Sequence, residues 1–301
     1  MLTTSTSKYV LAFSAFGATL ATAEVASAQI TGAHLDQQPV AYVDRPLVLP
    51  KLHMYAGLET TFTHAETGGI IDASTNSGFI DLDAGLGILD DLDVDATFIS
   101  LATKEGNIWP LGVDLIDGAD WGMFRLAATL RFFSSDAADI GARFRFLIDN
   151  DATIGLNGGL PIRVRAGHVF RLDTGFSFIG ILPTREGASP TFSLSDVGPF
   201  MSASDPAIPL RFAFQPTETF WLGFHTGFGA LDVSEDNSIF LPLGANLGGT
   251  IEIDRDMLLD LIGSFAFPFF ILPAGFDTDG IIGSELWQVG LTGKFYFKIP
   301  T

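Results

Sequence analysis

From Leu52 onward, apolar and polar side chains alternate residue by residue in a series of short runs. The clearest is SELWQVGLTGKFYF at 284–297, where Trp287, Val289, Leu291, Phe295 and Phe297 share one face with Gly293. Gln288, Gly290, Thr292, Lys294 and Tyr296 share the other. Such a period of two specifies a β-strand, because successive side chains of extended backbone point to opposite sides.

The same reading predicts twelve strands in all. The first sets Leu52, Met54, Ala56, Leu58 and Phe62 against His53, Tyr55, Glu59 and Thr61. The second and third read as a hairpin: Ile80 to Ile88 carries Asp81 and Asp83 on its polar face, a tight LDD turn follows, and Leu92 to Phe98 carries Asp93, Asp95 and Thr97. The fourth, Phe124 to Phe132, opposes Arg125, Thr129 and Arg131 to its apolar face, and the fifth, Ile140 to Ile148, opposes Arg143 and Arg145. The sixth places Ile162, Val164, Ala166, His168 and Phe170 against Arg163, Arg165 and Arg171, with a turn at RLD. The seventh, Thr174 to Ile181, is apolar on both faces and its register is open. The eighth is Leu210 to Phe214, the ninth Leu222 to Phe228, the tenth Leu241 to Ile253, the eleventh Met257 to Phe267 and the twelfth the run at 284–297. Residues 257–276 are hydrophobic enough to suggest a membrane helix, but Asp260, Pro268 and Pro273 interrupt them, so a strand and an apolar loop are expected there.

Strands of about 9–11 residues, apolar on one side and polar on the other, suit a tilted crossing of a bilayer in which the apolar face meets lipid. Connections after even-numbered strands are short (LDD, SSDAAD, RLD, QPTET, DRD), and those after odd-numbered strands are mostly longer. The expected fold is therefore all-β: a single antiparallel transmembrane β-barrel of twelve strands. The final strand resembles the carboxy-terminal targeting strand of bacterial outer-membrane β-barrels, although KIPT follows Phe297 where that pattern ends on an aromatic residue. By pattern, the resemblance to Gram-negative outer-membrane barrel proteins covers residues 51–297. It implies the outer membrane as location, with both termini in the periplasm. It also implies membrane lipid and lipopolysaccharide as surroundings, and assembly through the last strand by the barrel-assembly machinery.

The amino-terminal 28 residues, with Lys8, an apolar stretch from Tyr9 to Ala21 and ASA before Gln29, read as a secretory signal peptide. Residues 29–50 read as an extended periplasmic lead-in, 51–297 as the barrel and 298–301 as a tail, with no linker marking a second domain. The balance of 35 acidic against 16 basic residues argues against nucleic acid as a partner, since phosphate binding needs concentrated Lys and Arg. Cysteine is absent, which removes disulfides and thiolate metal sites, and the five histidines have no paired ligand spacing. No cofactor is expected.

The inward positions segregate by charge. Glu59, Asp81, Asp83, Asp93 and Asp95 come from strands one to three, and Arg125, Arg131, Arg143, Arg145, Arg163 and Arg165 from strands four to six. Counted from the turns, Asp83, Asp95, Arg145 and Arg165 fall near mid-height. In a wet pore, opposed charge rows make a transverse field, the arrangement porins use at their constriction, and the reading is a passive channel for small hydrophilic solutes. The competing reading is a non-conducting binding or structural barrel in which the same residues neutralise each other across strands, for example Asp93 with Arg131. The long loops are acidic, with Asp114, Asp117, Asp120, Asp232, Glu235 and Asp236 among them, and match no calcium-loop spacing. An enzyme is disfavoured: His225, Asn246 and Ser264 match in type the residues of outer-membrane phospholipases but point inward, whereas such a nucleophile must face lipid.

Overall fold

The computed structural model describes residues 38–65, 77–101, 123–149, 154–182, 191–193, 206–230, 239–271 and 286–300. In chain order its strands are β1 (His53–Ala65), β2 (Ser77–Leu89), β3 (Leu92–Leu101), β4 (Met123–Ser134), β5 (Ala138–Asp149), β6 (Ile154–Ala166), β7 (Phe170–Leu182), β8 (Thr191–Ser193), β9 (Ile208–Thr217), β10 (Phe220–Ala230), β11 (Ile239–Asp254), β12 (Met257–Ile271) and β13 (Leu286–Lys298). Each long strand is antiparallel to its neighbours, and the ring closes where β1 pairs with β13, from His53↔Lys298 to Ala65↔Leu286. The short β8 continues the slot of β9. It pairs with the far end of β7 at Ile179–Ile181, while β9 pairs with the near end at Phe170–Asp173. The barrel wall is thus twelve-stranded, as the alternation predicts.

The faces follow the same alternation. Leu58, Leu82, Leu126, Phe144, Phe224, Leu261 and Leu291 all lie exposed on the outside, while Asp260, Thr129, Gln288 and Arg171 are buried inside. A soluble protein would not leave such a belt open, and here it is the surface made for lipid. Of the stretch resembling a membrane helix, Met257–Ile271 is β12, which runs through Pro268 beyond the expected strand end at Phe267, with Asp260 pointing inward; residues 272–276 lie outside the described residues.

The sixth and seventh strands depart from expectation. β6 begins at Ile154 and ends at Ala166, and the turn is Gly167–Val169, not RLD. Gly167 sits at φ +60°, in the left-handed region that a residue without Cβ occupies freely, so the chain reverses there. Arg171 and Asp173 belong to β7 as inward side chains, paired with each other at 2.9 Å. Their polarity marks lumen wall, not loop. β7 reads as apolar on both faces because Ile179 is fully buried inside while Phe176 and Phe178 are exposed outside.

The expected signal peptide and the acidic long loops lie outside the described residues. Leu126→Arg or Leu291→Arg should each lower the free energy of refolding into lipid by about 2–4 kcal/mol, and Asn246→Lys on the inner face by far less. Equal losses in urea titrations of the lipid-embedded protein would show that the two faces are reversed.

Candidate functional site in the lumen

Residues 38–50, the described part of the stretch expected ahead of the barrel as a lead-in, lie across the lumen at the short-turn mouth. Val43, Arg45, Val48 and Leu49 are all buried there. This strap forms no ladder with the wall through 38–50; its backbone is satisfied mainly by side chains. The N–H groups of Val43, Leu47 and Leu49 donate to Gln215 Oε1, Asp139 Oδ2 and Asp93 Oδ2 at 2.9, 3.0 and 3.0 Å. Asp44 and Arg45 N–H close a short 3-10 turn on the Ala41 and Tyr42 carbonyls. Pro39, Pro46 and Pro50 have no N–H to satisfy, which suits a segment buried without strand partners. Wall arginines take the carbonyls: Arg171 donates to Tyr42 O at 2.6 Å, Arg163 to Arg45 O at 3.0 Å and to Pro46 O, and Arg165 to Arg45 O at 3.2 Å. The Tyr42 ring stacks on Trp221 with centroids 4.0 Å apart, under the Arg171 guanidinium at 3.8 Å. The strap enters the wall at Leu52, whose φ of +64° turns the chain from the lumen into β1.

One ion pair at this mouth is fully dry. Arg45 donates from both terminal nitrogens to Asp260 and from Nη2 to Thr250 Oγ1 at 3.1 Å, and Thr250 itself donates to Asp260 at 2.8 Å. The Arg45 and Asp260 side chains are 4% and 0% exposed. Around them, Arg163 pairs with Asp173 at 2.6 Å, and Arg165 pairs with Asp139, which also accepts from Ser134 at 2.7 Å.

Higher in the lumen the pairs are wetter. Lys294 Nζ lies 2.6 Å from Asp83 Oδ2, with side chains 28% and 12% exposed. Arg143 Nη2 meets both oxygens of Asp95 at 2.8 Å, with side chains 32% and 15% exposed. The first pair spans three strands, since Gly57 on β1 stands between Asp83 on β2 and Lys294 on β13 in register. A Cβ on Gly57 would run into the Asp83 carboxylate, so this glycine is what lets the carboxylate cross β1.

Asp83 and Asp95 therefore meet Lys294 and Arg143, not Arg145 and Arg165, and Arg165 sits at the short-turn mouth instead of mid-height. Arg131 pairs with Asp91 in the turn at 2.7 Å; Asp93 accepts from the strap. Glu59 and Asp81 are register neighbours, with Thr61 donating to Glu59 at 3.4 Å. Arg125 and Arg145 share the inner face of β4 and β5, each flanked by outward apolar residues, and Arg211 is exposed on β9. Lys294 and Asp260 were legible as inward positions by parity alone. Nothing in the local sequence marks Arg45 as the partner of a residue 215 positions away. Among the described residues, no cluster of His, Cys, Asp and Glu could hold a metal ion.

The fold is a closed antiparallel membrane β-barrel of the outer-membrane type, with charged side chains lining its interior. Among solved structures, the chain is similar to a NanC porin, with TM-score 0.50 and 7% identity over 80% of this chain and 100% of that one. It is also similar to a KdgM porin in complex with disordered oligogalacturonate (TM-score 0.45, 4% identity, 82% and 99% covered). An outer membrane channel from Pseudomonas putida F1 aligns as well (0.48, 12%, 83% and 97%). No family model and no curated protein matches the sequence.

The two kinds of charge pair should respond differently to neutralisation. Asp260→Asn leaves Arg45 buried without a counter-charge and should lower the unfolding free energy by about 3–5 kcal/mol. Asp95→Asn leaves Arg143 in contact with water and should cost about 1 kcal/mol or less. Urea midpoints of the two variants in lipid decide between them, and equal shifts would contradict the dry-to-wet gradient.

Proposed function

We propose that this protein is a passive outer-membrane channel for small hydrophilic solutes, with the short turns and both termini on the periplasmic side. The observation that carries this reading is the state of the lumen above the strap. Arg143, Lys294 and Arg211 keep water contact inside a closed ring, whereas a purely structural barrel of this size would pack its interior. Glu59, Asp81, Asp83 and Asp95 on one side and Arg125, Arg143 and Arg145 on the other are the pore-lining set in this proposal, stitched at mid-height by the Lys294 and Arg143 pairs. Asp93, Arg131, Arg163 and Arg165 shape the mouth. Outward strand faces meet lipid, lipopolysaccharide meets the long-loop end, and β13 is the strand handed to the assembly machinery, because closure on β1 removes the last open edge.

A non-conducting barrel is the second reading, and the strap favours it, since it buries apolar residues across one mouth. The fold neighbours named as porins and channels support the first. Hydrolysis has less support: Asn246 and Ser264 are register partners on the lumen wall, two positions from the Gly244 that faces His225, and none of the three is presented to lipid.

Planar-bilayer recording tests the proposal. The purified protein should give discrete conductance steps. Arg145→Gln with Arg211→Gln should move the reversal potential under a salt gradient toward cation preference, with little change in the unfolding midpoint, because wet charges cost little to remove. Absence of any step from protein shown to be folded would reject the channel.

A further inference from the structure

The strap is seated, but it is not built into the wall. Its backbone bonds run to side chains and to its own short turn up to Pro50, and it joins the ladder region only at Leu52, whose N–H donates to Gly87 O and whose carbonyl accepts from Ile299 at 2.8 Å each. The arginines beneath it keep carboxylate partners without it, and Asp260 is the wall carboxylate that exchanges its cation for water. Arg163 and Arg171 both reach Asp173, and Arg165 reaches Asp139, entirely within β5, β6 and β7. Among the described residues, the strap's charged side chains are held to the wall by the dry Arg45–Asp260 ion pair and by a hydrogen-bond contact between Asp44 and His168 at 2.9 Å, where His168 is exposed at the turn after β6. A wall lined by Asp260, Asp93, Asp139 and three arginines can be hydrated once the strap leaves, as an apolar socket cannot. The junction stores strain as well, since Leu52 holds a left-handed φ of +64° that a branched side chain rarely adopts.

We infer that residues 38–50 are a tethered gate, which seats in the short-turn mouth through Arg45 on Asp260 and swings out as a unit about Leu52 to open the lumen. The gate is closed when Tyr42 lies on Trp221 and Val43, Val48 and Leu49 are buried. Leaving exposes those side chains and hydrates the Arg45–Asp260 pair, and the tether returns the strap to its seat. The inference rests on the channel reading for its consequence, but not for the motion itself.

Two cysteine variants test it, in a chain that has no cysteine of its own. Val48→Cys, nearly isosteric at a buried position, reports exit of the strap by its reaction with a membrane-impermeant maleimide. Leu47→Cys with Gly141→Cys offers a lock: a Cβ on Gly141 would lie 3.0 Å from Leu47 Cδ2 and 2.8 Å from the Leu130 carbonyl oxygen, so the β4–β5 backbone must shift slightly, and the double variant is used only after its folding and its disulfide have been verified. The expected result is steady labelling of the Val48→Cys thiol while the barrel stays heat-modifiable and protease-resistant. Open-channel events from the double variant should fall about tenfold on oxidation and recover on reduction. No labelling over hours in the folded barrel, or equal conductance of the oxidised and reduced double variant, overturns the gate and leaves the channel reading standing. Labelling that proceeds while no variant conducts shows a mobile strap and removes the channel reading instead.

Discussion

Lipid offers no hydrogen-bond partner to a peptide group, and everything else in this molecule follows from that constraint. A sheet with a free edge would leave a row of unpaired N–H and C=O groups in hydrocarbon, so β13 must return to β1, and it does so along its whole length. With the outer face committed to lipid, the usual order of a globular protein is inverted. Leu126, Phe144 and Leu291 are exposed, and the buried positions include Asp139, Asp260, Arg171 and Thr250.

Cohesion inside the ring is therefore electrostatic, and its strength depends on water. At the short-turn mouth Arg45 and Asp260 are withdrawn from solvent, where a pair gains little over an apolar substitute but is expensive to break from one side. That asymmetry favours one placement of the strap over any other. Lys294–Asp83 and Arg143–Asp95, higher up, remain partly hydrated, so they hold a local charge pattern without contributing much to stability.

The strap shows how a chain can cross a lumen without a ladder. Three prolines remove donors, a short turn satisfies two N–H groups internally, and Gln215, Asp139 and Asp93 take three more. The same carboxylates belong to the wall network, so Asp139 serves Leu47, Ser134 and Arg165 at once. Docking of the strap and closure of the barrel meet at Leu52, which touches both β2 and the end of the chain through its backbone.

Residue parity alone determined the strand count, the lipid face and the inward position of strand residues such as Asp83, Asp95 and Arg143, because a period of two is a local property of extended backbone. It failed where locality failed. The β6–β7 turn was misplaced because Arg171 and Asp173 look like loop polarity until Arg163 is seen to face them. β7 had no readable register because Ile179 is covered from inside by neighbours that the sequence does not name. Which carboxylate meets which cation was decided by the tertiary structure, since barrel tilt and the missing Cβ of Gly57 bring Asp83 to Lys294, 211 positions away in the chain. The strap is a larger case of the same kind. Residues 38–50 read as a lead-in because no periodicity marks a segment whose partners are all distant, and only closure of the ring creates the mouth that it fills.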